Sequence, residues 1–345
     1  MQTAFVPPGQ PAAPAAKPKL LVLELWGLGD LIIATPFLRA AVERFDTTLL
    51  AKSFALDLRS RLWPAVKVVP FHAPWTTFKV SDKYRLWRWP LLEMIRLRRN
   101  LVRERFDVGL SARWDPRNHV LLKFFGARER LGFPRLGSRY FLTRPLASPE
   151  PEAHRYDYWR LMGEALGLKL ASRDQIIQPA VNGKKTVLIH TGAGQPVRVW
   201  PLKYYQRLVA RLRENGMSVQ IACDPEQREW WLAAGEPGVA TPANVTELIA
   251  LTDRVGAFVG NDSGPGHLAA FCGVPTFTIF GPQLPEWFAP LHPKAEWIEG
   301  RACPYKPCSD YCRYPVPFCL SNVGEEAVWE CVKKFISACS GVALS

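Results

Sequence analysis

Val259-Gly260-Asn261-Asp262-Ser263-Gly264-Pro265-Gly266-His267-Leu268-Ala269-Ala270 is the stretch on which the reading of this chain turns. An apolar run over residues 255–259 leads into it, and an apolar helical pattern over 266–272 grows out of it. Strand, tight turn and helix in that order form the unit of a parallel α/β sheet. Two glycines and a proline at a helix entry build a nest of backbone N–H donors suited to a diphosphate. His267, in the first turn, adds a further donor. A lone histidine is more often a satisfied core residue, but this one stands in a glycine-rich helix entry.

The alternation continues on both sides. Residues 186–190, 217–223 and 275–281 read as buried strands, and 201–215, 225–234 and 245–253 as helices. Upstream, Leu20-Leu-Val-Leu-Glu-Leu25 is a nearly continuous apolar run of the buried-strand kind. Gly27-Leu28-Gly29-Asp30 follows it as a turn, and then Phe37, Leu38, Ala41, Val42 and Phe45 recur at helical spacing. Residues 48–51, 66–70 and 106–110 read as further strands, 83–105 as an intensely basic helix, 148–152 as a loop and 156–166 as a helix. The pattern breaks at a turn near Asn182-Gly183 and restarts. The fold expected is α/β, with two Rossmann-like doubly wound domains. Residues 1–18, rich in Pro and Ala, are expected to form a disordered tail, and 19–180 and 181–345 are the expected domains.

At 345 residues the chain has room for two such domains of roughly 150 residues each. Its 48% hydrophobic and 22% charged content excludes a largely disordered chain. The longest apolar stretch, residues 20–38, is interrupted by Glu24 and Asp30, so no membrane span is expected. The N-terminus lacks the charged start and apolar run of a signal peptide, so a cytoplasmic location with the eight cysteines mostly reduced is expected. The net charge of +13 calls for anionic partners. Residues 1–180 carry 29 basic and 16 acidic side chains, while residues 181–345 carry 15 of each, so the first half holds the whole excess.

Three constellations carry chemistry. Gly27-x-Gly29-Asp30 brings a carboxylate to the tip of the first strand; the plainer reading is that Asp30 only caps the helix. A dinucleotide fingerprint would need a third glycine where Ile32 stands, which disfavours a nicotinamide oxidoreductase. The loop Thr191-Gly192-Ala193-Gly194 exposes backbone N–H groups, and Arg198 beyond it can reach an anion above the strand ends. The Asn261–His267 stretch is the third.

Taken in order, Gly29-Asp30 with Thr35-Pro36, Gly126-Ala-Arg-Glu-Arg-Leu-Gly132, Arg198-x-Trp200-Pro201, Asn261-Asp-Ser-Gly-Pro-x-His267-Leu-Ala-Ala270, Pro275 and Phe280-Gly-Pro282 resemble the heptosyltransferase family of glycosyltransferases, family 9, whose members build the inner core of lipopolysaccharide. The resemblance runs from about residue 20 to the C-terminal helix. It implies a GT-B fold, with the two domains facing a central cleft, acceptor on the first and nucleotide-sugar on the second. It implies Asp30 as general base. It implies Thr191, Gly192, Gly194, Arg198, Glu226, Asp262, Ser263, Gly264, Gly266 and His267 as donor-binding, with Asp224 and Glu226 both fitting loosely as the ribose acid. Many relatives have Lys where this chain has Arg198, a change that keeps charge and alters geometry.

The function expected is transfer of a sugar, heptose from ADP-heptose first among them, with inversion and without a metal, to an anionic lipopolysaccharide-core-type acceptor. Arg113 and Arg117 are candidates for acceptor anions. The basic 83–105 segment, with Trp87, Trp89, Leu91, Leu92 and Met94 among its arginines, suits peripheral contact with the inner leaflet or is simply a solvated face. The alternatives are another nucleotide-sugar and, from a different class, a basic nucleic-acid-binding protein. The latter leaves Asp30 and the 262–267 turn without a role. Cys303, Cys308, Cys312 and Cys319 lie in one loop, 303–319, with four, three and six residues between them. That spacing matches no standard zinc pattern, so a structural metal or cluster, free thiols and disulfides all stand open. No cofactor is otherwise implied.

Overall fold

The structure, a computed structural model, describes residues 16–76, 90–177, 184–308, 311–341 and 344. Most of the expected tail, the 182–183 turn and residues 83–89 of the basic segment lie outside these. Two parallel sheets organise the remainder. The first contains β1 (Lys19–Leu23), β2 (Asp46–Ala51), β3 (Lys67–Pro70), β4 (Val108–Leu110), β5 (Glu129–Gly132) and β6 (Arg144–Pro145) in the order β3-β2-β1-β4-β5-β6. The second contains β7 (Thr186–His190), β8 (Ser218–Ala222), β9 (Ala257–Asn261), β10 (Thr276–Phe280) and β11 (Ala295–Glu299) in the order β11-β10-β9-β7-β8.

The first order is that of dinucleotide-binding sheets and the second that of flavodoxin-like ones. In both, ligands bind beyond the carboxyl ends of the strands where the order reverses. Those switch points fall between β1 and β4 and between β7 and β9.

The apolar runs exist because each central strand is covered on both faces. Leu20 and Val22 enter one core with Phe37 and Leu38, while Leu21 and Leu23 enter another with Phe71 and Phe125. Ile32, where a third fingerprint glycine would stand, is 2% exposed inside the first of these cores. The doubly wound topology therefore forms here without the dinucleotide fingerprint.

The Gly264–Phe271 helix of the second half packs on the Leu28–Arg44 helix of the first, and its Leu268 and Phe271 join the first half's core. Of the basic segment, Leu91–Glu104 is helical, with only Leu101 buried. No helix among the described residues is long and apolar enough to cross a membrane.

Candidate active site

The first switch point is built by the chain leaving β1. Gly27, extended, is the N-cap of the Leu28–Arg44 helix, which places Asp30 at its third position. Asp30 Oδ2 accepts the Gly27 N–H at 3.1 Å, so the capping role occupies one carboxylate oxygen. Oδ1 accepts a bond from Nη2 of Arg113, which follows β4. The Arg113 Nε lies 4.0 Å from Glu24 Oε1, and its guanidinium carbon lies 5.1 Å from the Trp26 ring centroid. Glu24, buried at the end of β1, accepts the Trp26 N–H at 3.2 Å. Burial pushes its carboxyl up to about 7, against the pull of Arg113. Arg155 and Trp159 close the wall of this small cleft. Arg117 is not part of it: Asp115 holds its Nε and Nη2 at 2.9 and 2.8 Å, and its guanidinium covers Trp75.

At the second switch point Asn261 is the hub. Its Oδ1 accepts from the Trp200 N–H at 3.0 Å and from the Tyr205 hydroxyl at 2.9 Å, and its Nδ2 donates to the Thr191 carbonyl at 2.9 Å. One buried amide thus ties the loop after β7, the Arg198-x-Trp200-Pro201 turn and the end of β9 together. Arg198 Nη1 donates to Asp262 Oδ2 at 3.1 Å, where the Asp262 side chain is 4% exposed. Thr191 Oγ1 donates to Gln227 at 2.8 Å and accepts from Trp231 Nε1 at 3.1 Å.

Of the two acidic residues after β8, the structure brings Asp224 to the loop and leaves Glu226 exposed in solvent. Asp224 Oδ2 accepts the Ala193 N–H at 2.9 Å, and a Cβ on Gly192 would lie 2.2 Å from Asp224 Oδ1. Only glycine at 192 allows that approach. Asp224, His190, Cys223, Asn244 and Pro265 line a cavity of about 500 Å³ that Ser53, Phe54 and Asp57 of the first half close from the other side.

The two switch points face each other. A Cβ on Gly29 would lie 2.6 Å from His267 Cδ2, and one on Gly264 would lie 2.7 Å from Leu28 Cβ. Glycines on both helices let their N-termini abut, so two positive helix ends converge on one place. His267 is buried there with Nδ1 unpartnered, and burial pushes its pKa down to about 4 while Asp30 acts in the opposite sense. It is neutral near pH 7, with a free ring nitrogen beside the cleft. This arrangement can hold an anion beside the abutting helix ends, with the Asp30 carboxylate close to His267.

Gly194 stays in the loop after β7, Ser263 stands at the N-cap position of the Gly264–Phe271 helix with its hydroxyl donating to the Asn261 carbonyl at 3.2 Å, and Gly266 lies in the first turn. In the 303–319 loop, Cys319 is buried and its thiol is pushed up to about 11 by burial, with Cys303, Cys308 and Cys312 adding to the shift. Among the described residues, no three His, Cys, Asp or Glu side chains come together as a metal site requires. Asn261, Glu24 and Arg155 were not singled out by the sequence reading. The signal for Asn261 lay inside the quoted motif; a single arginine and a strand-end glutamate carry none.

Comparison with known proteins agrees with this geometry. The model of glycosyltransferase family 9 (heptosyltransferase) matches residues 94–314. Lipopolysaccharide heptosyltransferase 1 of Pseudomonas aeruginosa is 25% identical over 84% of this chain and 86% of its own. Among solved structures, the family 9 glycosyltransferase of Veillonella parvula superposes with a TM-score of 0.73 at 19% identity, covering 95% of this chain and all of the other. Escherichia coli heptosyltransferase WaaC with ADP superposes with a TM-score of 0.70 at 16% identity, covering 92% and 99%. The fold is the two-sheet GT-B arrangement of these enzymes.

Proposed function

The chain belongs to glycosyltransferase family 9, and from that premise we propose that it transfers heptose from ADP-heptose, with inversion and without a metal, to an anionic acceptor of the lipopolysaccharide core. In this reading residues 19–180 receive the acceptor and residues 181–345 the donor. The observation that carries it is the meeting of Asp30 and His267 across Gly29, where two helix N-termini converge. The donor's diphosphate lies beside those ends, against the 262–266 turn and within reach of Arg198, His267 and the N–H groups of that turn. Its nucleoside enters the cavity lined by Asp224 and Asn244. The E. coli protein of the same fold has been seen with ADP, and ADP is accordingly the first nucleotide to test.

Asp30 takes the proton of an acceptor hydroxyl as its oxygen attacks the anomeric carbon. The bond from that carbon to the diphosphate breaks, and its electron pair leaves with the nucleotide. Developing negative charge is met by Arg198 and the helix ends, each preorganised donor being commonly worth about 3 kcal/mol. That positive field supplies what a divalent cation would otherwise provide. Basic, partly apolar Leu91–Glu104 holds the enzyme on an anionic inner leaflet where such an acceptor is anchored.

The test is Asp30→Ala assayed for transfer and for donor binding, beside a thermal-shift panel of ADP-, UDP-, GDP- and CDP-sugars. Donor binding should survive the substitution while transfer collapses, and ADP-heptose should give the largest shift. Turnover retained by Asp30→Ala removes Asp30 as base, and loss of turnover on chelation removes the metal-free scheme.

A further inference from the structure

Among the described residues, Arg155 has no carboxylate as an ion-pair partner. It opens the Arg155–Ala165 helix beside Asp30 and Arg113. Its guanidinium carbon stands 4.1 Å from the Trp114 ring centroid, 5.1 Å from Tyr158, 5.1 Å from Trp287 and 5.4 Å from Phe288. Trp114 and Tyr158 come from the first half. Trp287 and Phe288 come from the second, held in place by a 2.8 Å bond from Trp287 Nε1 to the Pro151 carbonyl. Its buried Nε has no acceptor, and the Tyr158 side chain is the hydrogen-bonding neighbour of the guanidinium. Burial lowers its pKa to about 10, which still leaves it charged at neutral pH. Aromatic faces offset part of the cost of burying that charge, and at the cleft wall its Nε still lacks an acceptor.

Its neighbour Arg113 is engaged instead with Asp30, whose other oxygen is held by the Gly27 N–H. The Arg113 guanidinium therefore stands against the one Asp30 oxygen that does not cap the helix, in the way of a hydroxyl approaching the base of the proposed reaction.

We propose that Arg113 and Arg155 together receive an anionic group, carboxylate or phosphate, on the sugar acceptor, and that this anion draws Arg113 away from Asp30, freeing the base only when an acceptor is in place. The inference rests on the acceptor side of the function proposed above. It explains why a cleft built to activate a hydroxyl would not activate water while the donor waits alone. The aromatic cage draws on both halves, so the second cation is in position only when the halves are together.

The test is calorimetric binding of glucuronate and glucose 6-phosphate, with glucose as neutral control. At least one anionic sugar should bind saturably and well above glucose; which one identifies the anion. Arg155→Met should weaken that binding roughly 10- to 100-fold, the range expected for a charge-assisted contact, and Arg155→Lys should recover part of it. Asp30→Asn should tighten it severalfold, because Arg113 no longer has a competing carboxylate; a merely structural Arg155 gives no reason for that gain. Arg198→Met should leave it unchanged while weakening ADP. The proposal is overturned if neither anionic sugar outbinds glucose, if Arg155→Met has no effect while folded, or if Asp30→Asn weakens binding. Failure of ADP to bind, with the anionic sugars behaving as stated, would overturn the donor assignment alone.

Discussion

Gly29→Ala isolates the contact between the two halves. Gly29 sits in the first turn of a helix without a positive φ, so alanine meets no backbone strain there. Helix propensity alone would favour the change by up to about 1 kcal/mol. The new methyl would stand 2.6 Å from His267 Cδ2, where ordinary van der Waals contact begins near 3.4 Å. His267 is 6% exposed and has little room to turn aside. Either the imidazole or the whole helix end must therefore retreat by about 1 Å, a displacement that can cost about 100-fold in rate when it separates reacting groups. Overpacking of this kind costs about 1–3 kcal/mol, partly offset by the propensity gain, so the protein should remain folded. The expected outcome is a drop of about 100-fold in kcat/KM for the donor with a melting point within a few degrees of the parent. Gly238→Ala, where a methyl meets open space, is the control and should be silent. If Gly29→Ala keeps the parent's kcat/KM, the working enzyme does not bring Asp30 and His267 together in this way, and the catalytic reading of their meeting is wrong.

Three further outcomes follow from other parts of the structure. Burial depresses His119, His154, His190 and His267 to about 4, 3, 4 and 4. Their stabilising effect is therefore complete above an unfolded pKa near 6.5 and is lost as pH falls towards those values, by up to about 1.4 kcal/mol per pH unit for each. Glu24, raised to about 7, works in the opposite sense and offsets part of this over the same range. Urea midpoints should fall clearly between pH 7 and pH 5, and a flat profile would show that these rings are not buried neutral. Asn261→Ala strands three buried partners and should cost about 2–5 kcal/mol in chemical denaturation, with weaker nucleotide binding; a loss under 1 kcal/mol would deny Asn261 its role as hub. Leu91, Leu92 and Ile95 are 55%, 74% and 45% exposed on the basic helix, so the protein should sediment with vesicles containing anionic lipid and less with neutral ones. Leu91→Asp with Leu92→Asp should abolish this, and unchanged sedimentation would make the helix a solvated face.

How far the sequence could be read depended on whether a feature was local. β1, β7, β9 and β10 were legible because a strand covered on both faces has to be apolar throughout, and such runs stand out. β11 was not read, since Ala295-Glu-Trp-Ile-Glu299 lies at a sheet edge and is mostly exposed. β5 and β6 are short, and the first is partly polar, so neither carries an apolar run. The expected helix over 225–234 divides into a 3-10 turn at Pro225–Gln227 and a helix at Arg228–Ala233. In the site, glycines announced the turns, but their reasons lay elsewhere in the chain: Gly192 is small for Asp224, Gly29 for His267 and Gly264 for Leu28. No spacing in the sequence records which side chain will arrive opposite. Asp224 and Glu226 differ only in which of two neighbouring positions turns inward, and Arg155 is conspicuous only once four aromatic rings surround it.

The same distinction governs the charge. The second half has equal numbers of acids and bases, and many of its arginines are neutralised by partners on neighbouring elements. Arg207 meets Glu325, Arg211 meets Glu326 at 2.7 Å, and Arg213 meets Glu236 at 2.5 Å, binding the Leu202–Glu214 helix to its surroundings. The first half pairs some of its cations too, Arg61 with Asp253 of the second half at 2.6 Å among them, but has too few acids for the rest. Part of it is displayed on Leu91–Glu104, where exposed leucines accompany the arginines. Another part is drawn inward to the cleft as Arg113 and Arg155, one held by a carboxylate and one by aromatic rings. Surface cations raise the local concentration of any anion and are screened by salt; buried cations select by geometry and are screened far less. Raising ionic strength should consequently weaken vesicle binding much more than anionic-sugar binding at the Arg113–Arg155 pair. Equal sensitivity would mean that the inward arginines are only an extension of the surface field.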